Sequence, residues 1–248
     1  MESDSQSGSS SENVASSPFP PTLWTLVGEA SAGQSEKAEA AIRQLCEIYQ
    51  EPIVHWLRVR GHGEEARDLA NGFVEFLLEK NRLENFTRRE TKFRSFLLTC
   101  LNGFLRDEWR KRTAEKRGEG VPPASLDEVE VGRAEELEKI LDRQIALAIH
   151  RRVMAQLATE YAKNGNSRRF DELKPFVLSS DGTTSYAEVG GRLGMTANHV
   201  KIAVLRLRAR YFELFREEVS QTSTREEVDA EMRYLITLLE DTEATLGQ

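Results

Sequence analysis

The sequence predicts an all-α protein made of two small helical domains joined by a flexible linker. Three observations predict it. Ala, Leu, Glu, Arg and Lys dominate, and regularly alternating Val, Ile, Thr and Tyr runs are missing, a composition that favours helices over strands. Apolar residues recur three and four apart through each long segment. A break rich in Gly, Pro and acidic residues begins near Gly120, as domain boundaries commonly do. With 248 residues, 39% of them apolar, the chain can bury two modest cores.

Each element follows from its local pattern. Residues 1–21 are Ser-rich and end in Pro18, Pro20 and Pro21, which predicts a disordered tail. A short segment with Leu23, Trp24, Leu26 and Val27 comes next. The first helix opens near Ser35, with Ala38, Ile42, Leu45 and Tyr49 on one stripe. Pro52 is expected to interrupt it, Ile53, Trp56 and Leu57 resume it, and Gly61 and Gly63 close it. The second helix, about Glu64 to Glu79, buries Ala66, Leu69, Ala70, Phe73, Phe76 and Leu77. Its opposite face carries Arg67, Asp68, Asn71 and Glu75. A polar loop spans Asn81 to Arg89. The third helix, about Thr91 to Lys116, has a wide apolar face of Phe93, Phe96, Leu97, Cys100, Leu101, Phe104 and Leu105. Gly118 and Gly120 stop it.

The first domain is thus expected over 22–118, the linker over 119–140 and the second domain over 141–220. Leu141 opens the second domain, and Ile145, Ile149, Val153 and Leu157 give its first helix a stripe. Gly165 to Arg169 is expected as a polar loop, after which Phe170, Leu173, Phe176 and Val177 pack. A further loop runs from Ser179 to Thr184. Residues 221–248 form an acidic extension, in which Val228, Met232, Leu235 and Leu239 mark a short docked helix. Such a helix would cap the second domain, or act as a flap over a basic surface.

Ser185 to Phe215 has the pattern of a helix-turn-helix. Ser185 suits an N-cap, Tyr186, Val189 and Leu193 line a short helix, and Gly194 supplies a left-handed corner. Thr196 suits the next N-cap. On the long second helix Val200, Val204, Leu207, Tyr211 and Leu214 share one face. Asn198, Lys201 and Ile202 lie opposite, with Arg206, Arg208 and Arg210 flanking the stripe. A recognition helix needs this division: a buried anchoring face, polar N-terminal residues for base edges, and arginines for phosphates. The plain alternative is a two-helix corner with a solvated basic face.

Three segments in order resemble the extracytoplasmic-function (ECF) sigma factors of bacterial RNA polymerase, in the sigma-70 family: YQEPIVHWLRVRGHGEEARDLANGF from Tyr49, KFRSFLLTCLNGFLRDEWRKRTAEKRGEG from Lys92, and the helix-turn-helix continuing into RYFELFREEVSQTSTREEVDAEMRYL. The resemblance runs from about Leu23 to Leu239. It implies a sigma-two-like bundle, then a sigma-four-like helix-turn-helix domain, with core RNA polymerase and promoter DNA as partners. Asp68, Asn71 and Glu75 would meet polymerase. Asn81, Arg82, Asn85, Phe86 and Arg88 would lie in the loop that captures a flipped minus-ten base, which needs polar edges and a stacking surface. Arg94, Arg106, Arg110 and Lys111 would track the DNA backbone. Thr196, Asn198, His199, Lys201, Ile202, Leu205, Arg206, Arg208 and Arg210 would serve the minus-thirty-five element. Two departures stand out. Asp68-Leu69-Ala70-Asn71 replaces the usual Asp-Leu-Thr-Gln, which puts docking strength in question. Leu205 stands where the family often has a basic or polar residue, which suits contact with a thymine methyl.

Charge supports local rather than global polyanion binding. The net charge is −7, yet from Arg82 to Arg117 bases outnumber acids by about two to one, and a second basic run spans Lys201 to Arg216. An enzyme is disfavoured: His55, His62, His150 and His199 are scattered, and no Walker or Rossmann phosphate loop occurs. No cofactor, metal or small-molecule substrate is expected. Cys46 and Cys100 fall in apolar helical patterns and are expected as buried free thiols. With no signal core and no run of about 18 apolar residues, the expected location is the cytoplasm, away from membranes. An anti-sigma factor or a regulatory kinase remain open as further partners. The serious competing reading is a free-standing helix-turn-helix regulator, and a third is a scaffold that binds polymerase without DNA.

Overall fold

The computed structural model describes residues 36–78, 93–116, 134–178, 185–223 and 226–246. All regular elements among them are helical. In order they are α1 (Glu36–Leu57), α2 (Ala66–Leu78), α3 (Phe93–Lys116), α4 (Ala134–Lys163), α5 (Ser167–Leu173), α6 (Tyr186–Leu193), α7 (Ala197–Ser220) and α8 (Val228–Leu246). A tight turn over Arg58–His62 joins α1 to α2. Gly61 adopts φ +96° there, a conformation open to glycine and closed to most side chains.

The apolar stripes fall where periodicity puts them. On α2, Ala66, Leu69, Ala70, Phe73 and Leu77 are buried and Phe76 is partly so; on α3, Phe93, Leu97, Leu101 and Phe104 are buried. Phe73, Phe76 and Phe104 join the two helices, with ring centroids 5.3–6.1 Å apart. Cys100 is half-buried and not disulfide-bonded, less enclosed than expected; the Cys46 side chain lies outside the described ones.

Three expectations need correction. Helix α1 runs through Pro52 without interruption. Proline forfeits a backbone hydrogen bond there, at about 3 kcal/mol. Burial of Pro52, Ile53, Val54, Trp56 and Leu57 on the same turns offsets it. Helix α4 starts at Ala134, inside the stretch expected as linker. Its first turns are held because Leu137 and Ile140 pack on the core and the Leu137 carbonyl accepts a 2.9 Å hydrogen bond from Trp56 Nε1. Helix α5 starts at Ser167, inside the expected Gly165–Arg169 loop.

The buried side chains of both halves belong to one continuous core. Helices α1 and α4 form its largest contact, and α8 lies across α4 and α7. Val228, Leu235 and Leu239 of α8 are buried, so the acidic extension docks as its spacing predicted. Polar bonds tie the same seam. Tyr49 Oη donates to Thr222 Oγ1 at 3.4 Å. Arg94 of α3 donates through Nε to Glu231 of α8 at 2.6 Å and through a second nitrogen to Asp142 of α4. Tyr234 Oη donates to the same Asp142 at 2.8 Å, and the guanidinium lies 4.7 Å from the Tyr234 ring centroid. No helix among the described residues is long and apolar enough to cross a membrane.

Candidate nucleic-acid interface

The corner between α6 and α7 is set by local chemistry. Ser185 caps α6 with a full capping box: its hydroxyl accepts from the Glu188 backbone N–H, and the Glu188 carboxylate accepts from the Ser185 N–H. Gly194 takes φ +66° at the corner, and Thr196 Oγ1 accepts from the His199 N–H at 3.3 Å to cap α7. Gly190 has a different duty. A Cβ there would sit 2.5 Å from the Met195 carbonyl oxygen, so only glycine lets α6 approach the corner this closely. The adjacent Gly191 has open space around it.

Helix α7 then divides cleanly. Val200, Val204, Leu207, Tyr211 and Leu214 are buried, together with Ala203, Phe215 and Val219. Asn198, His199, Lys201, Ile202, Leu205 and Arg206 are exposed along the opposite side of its N-terminal half. Leu205 is 56% exposed and Ile202 39%, two of the few large apolar side chains that the described residues leave in solvent. Among the described residues, the side chains of Asn198, Lys201 and Arg206 make no hydrogen bond or ion pair. Two other arginines expected on phosphates are engaged inside the fold. Arg208 Nε donates to the Phe176 carbonyl at 2.7 Å. Arg210 is bridged to Glu160 at 2.8 Å and Glu213 at 3.1 Å. The Arg210 hydrogen bonds hold the Glu160 carboxyl below the usual range.

The first half places its expected residues less evenly. Asp68, Asn71 and Glu75 are exposed on α2, opposite its buried stripe. Asn71 Oδ1 accepts from Gln50 Nε2 at 2.9 Å. Asp68 and Glu75 line an open groove of about 630 Å³ between α2 and α3, whose far wall carries Arg110, Lys111 and Arg112. That basic end is partly neutralised: Lys111 pairs with Glu108 at 2.8 Å, Arg110 with Asp107 at 3.9 Å, and Arg112 with Glu65, immediately before α2, at 2.6 Å. Arg106 is exposed. Asn81, Arg82, Asn85, Phe86 and Arg88 lie outside the described residues.

Arg94 departs from its expected place on a DNA-tracking surface. Its side chain is only 12% exposed and is clamped between Asp142 and Glu231, themselves buried. Burial of both carboxylates demands a cation, and Arg94 reaches both of them. Their attraction drives its basicity further up despite the desolvation.

Two titrating groups of the second half are also built into the packing. His150 Nδ1 lies 2.8 Å from the Tyr211 hydroxyl, and burial, then the Arg151 charge, lowers its pKa below the ordinary histidine value. Burial likewise raises Tyr161. Among the described residues no group of three His, Cys, Asp or Glu side chains is placed to hold a metal ion. The exposed, capped face of α7 offers one lysine, one arginine, an imidazole, an amide and two aliphatic side chains. No protein-family model, no curated protein and no solved structure matches the chain.

Proposed function

We propose that this chain is an ECF-type sigma factor, which directs core RNA polymerase to promoters and initiates transcription without catalysing a reaction itself. The exposed face of α7 carries the reading. Asn198, Lys201 and Arg206 make no side-chain bond among the described residues, while Ile202 and Leu205 stand in solvent on a helix whose other side is buried. Amide and cationic groups suit base edges and phosphates, and exposed aliphatic groups suit thymine methyls. The acidic and amide residues of α2 supply a second surface of the kind that polymerase docking needs. In the free protein Arg94 is spent on Asp142 and Glu231. Promoter binding without polymerase is therefore expected to be weak.

The alternative, a free-standing helix-turn-helix regulator, draws support from the continuous core that joins the two halves. Run-off transcription on a promoter pool separates the two. Sigma activity requires transcripts that start downstream of a shared motif only when core polymerase and this protein are both present. No stimulation, with tight and sequence-specific duplex binding by the protein alone, would leave the regulator.

A further inference from the structure

Beside α7 lies a cavity of about 210 Å³ that none of the sequence motifs pointed to. It is lined by Tyr161, Asn164, Asn166, Arg169, Ala203 and Arg206. Three features set it apart. First, its wall holds two arginines and no carboxylate. Elsewhere in this half Arg152, Arg192, Arg210 and Arg216 each have one, on Glu218, Glu172, Glu160 and Asp229. Second, Arg169 Nε is buried with no hydrogen-bond partner among the described residues. A guanidinium cannot shed its proton, so such an N–H is costly until an acceptor meets it. Third, the wall is rigid. Gly165, at φ +67°, turns the chain between α4 and α5. Asn164 and Asn166 each spend one side-chain N–H on a backbone carbonyl, at 3.0 Å, which leaves the second hydrogen of each amide.

A small rigid recess with two uncompensated guanidiniums and two amide donors selects a tetrahedral oxyanion. Its position says which one. Arg206 belongs both to the cavity wall and to the exposed side of α7, one helical turn from Ile202. We infer that the cavity seats a backbone phosphate of duplex DNA, adjacent to the bases that α7 faces. This rests on the DNA-reading role proposed for α7. The recess adds orientation and affinity without sequence preference, since a phosphate carries no base identity.

The test uses the full chain and a mixed-sequence 30-bp duplex, with anisotropy read across a salt series. Arg169→Gln is expected to weaken binding roughly tenfold, as loss of a charge-assisted contact does. It is also expected to lower the slope of log K against log salt by about one. Asn166→Asp places a carboxylate at the exposed mouth, with loss of the bond to the Asn164 carbonyl, and is expected to do the same. The Arg169 Nε–H resonance is expected to shift with the duplex, and inorganic phosphate at equal phosphate concentration is expected to move it far less. If Lys201→Ala weakens binding while both cavity variants bind as wild type, the cavity is no DNA contact, though α7 still is. If none of the three variants changes binding, the reading of α7 fails as well. If inorganic phosphate shifts the Arg169 signal and duplex DNA does not, the site takes a free oxyanion and the assignment to DNA is overturned.

Discussion

The Arg94 triad makes the strongest quantitative prediction. Replacing Arg94 by Met keeps most of the volume and removes a cation that is bonded to both Asp142 and Glu231. Those carboxylates are 2% and 7% exposed. Breaking a buried ion pair from one side costs about 3–5 kcal/mol, because the remaining charges stay buried without compensation. Against a total stability of roughly 5–15 kcal/mol that is a large share. With a urea m-value of about 3 kcal/mol/M it lowers the midpoint by about 1.3 M. The assay is urea unfolding followed by tryptophan fluorescence, for which Trp56, buried at the α1–α4 seam, is a native reporter. The neutral triple variant Arg94→Met, Asp142→Asn, Glu231→Gln removes the charge imbalance and should recover much of the loss. A cost below about 1 kcal/mol for Arg94→Met would mean that water reaches the triad, and the burial argument would be refuted. A triple variant as unstable as the single one would move the effect from charge to the lost stacking of the guanidinium on Tyr234.

Two smaller predictions test the second half. Gly190→Ala should destabilise by about 1–3 kcal/mol, because its Cβ meets the Met195 carbonyl oxygen; Gly191→Ala, with open space, should stabilise by about 0.5–1 kcal/mol, and thermal melts that rank the pair the other way would sink the packing argument. His150 has a lowered folded-state pKa, so the unfolded chain takes up a proton first as pH falls. Its contribution to stability is therefore intact above about pH 6.5 and declines below it; urea midpoints from pH 8 to 5 should show that decline in the wild type and a flatter profile in His150→Gln.

Most of the fold was legible because it is written locally. The stripes of α2, α3 and α7 need only a period of 3.6. The caps at Ser185 and Thr196 and the corner at Gly194 need only neighbours three or four residues away. What sequence could not show is what long-range packing decides. Helix α1 survives Pro52 because α4 covers those turns, and α4 begins at Ala134 because Trp56 binds the Leu137 carbonyl from another helix. Arg94 reads as one more basic residue on α3, yet its partners lie 48 and 137 residues away in the chain. The surface of α7 was legible in part: its wheel separates Asn198, Lys201 and Ile202 from the core. It does not reveal that Arg208 and Arg210 are consumed by Phe176 and Glu160. The oxyanion recess left no sequence signal, since Asn164, Asn166 and Arg169 sit in a stretch that reads as an ordinary polar loop.

Helix α8 poses the question of whether the acidic extension is a structural cap or a flap over basic surface, and its packing favours the cap. Val228, Leu235 and Leu239 are buried between α4 and α7 at the depth of any other core residue. Leu235→Ala should accordingly cost about 2–5 kcal/mol, as a buried leucine does. Its Glu231 covers a cation expected on DNA, and that cation is also held by Asp142. Glu231→Gln keeps the side chain's shape and removes its charge. Under the cap reading it lowers stability and leaves duplex affinity of the full chain unchanged, because Arg94 stays beneath α8. A tenfold gain in duplex affinity, with the urea midpoint unchanged, would show instead that the extension screens a DNA-binding surface and that its apolar packing is the hinge of a flap.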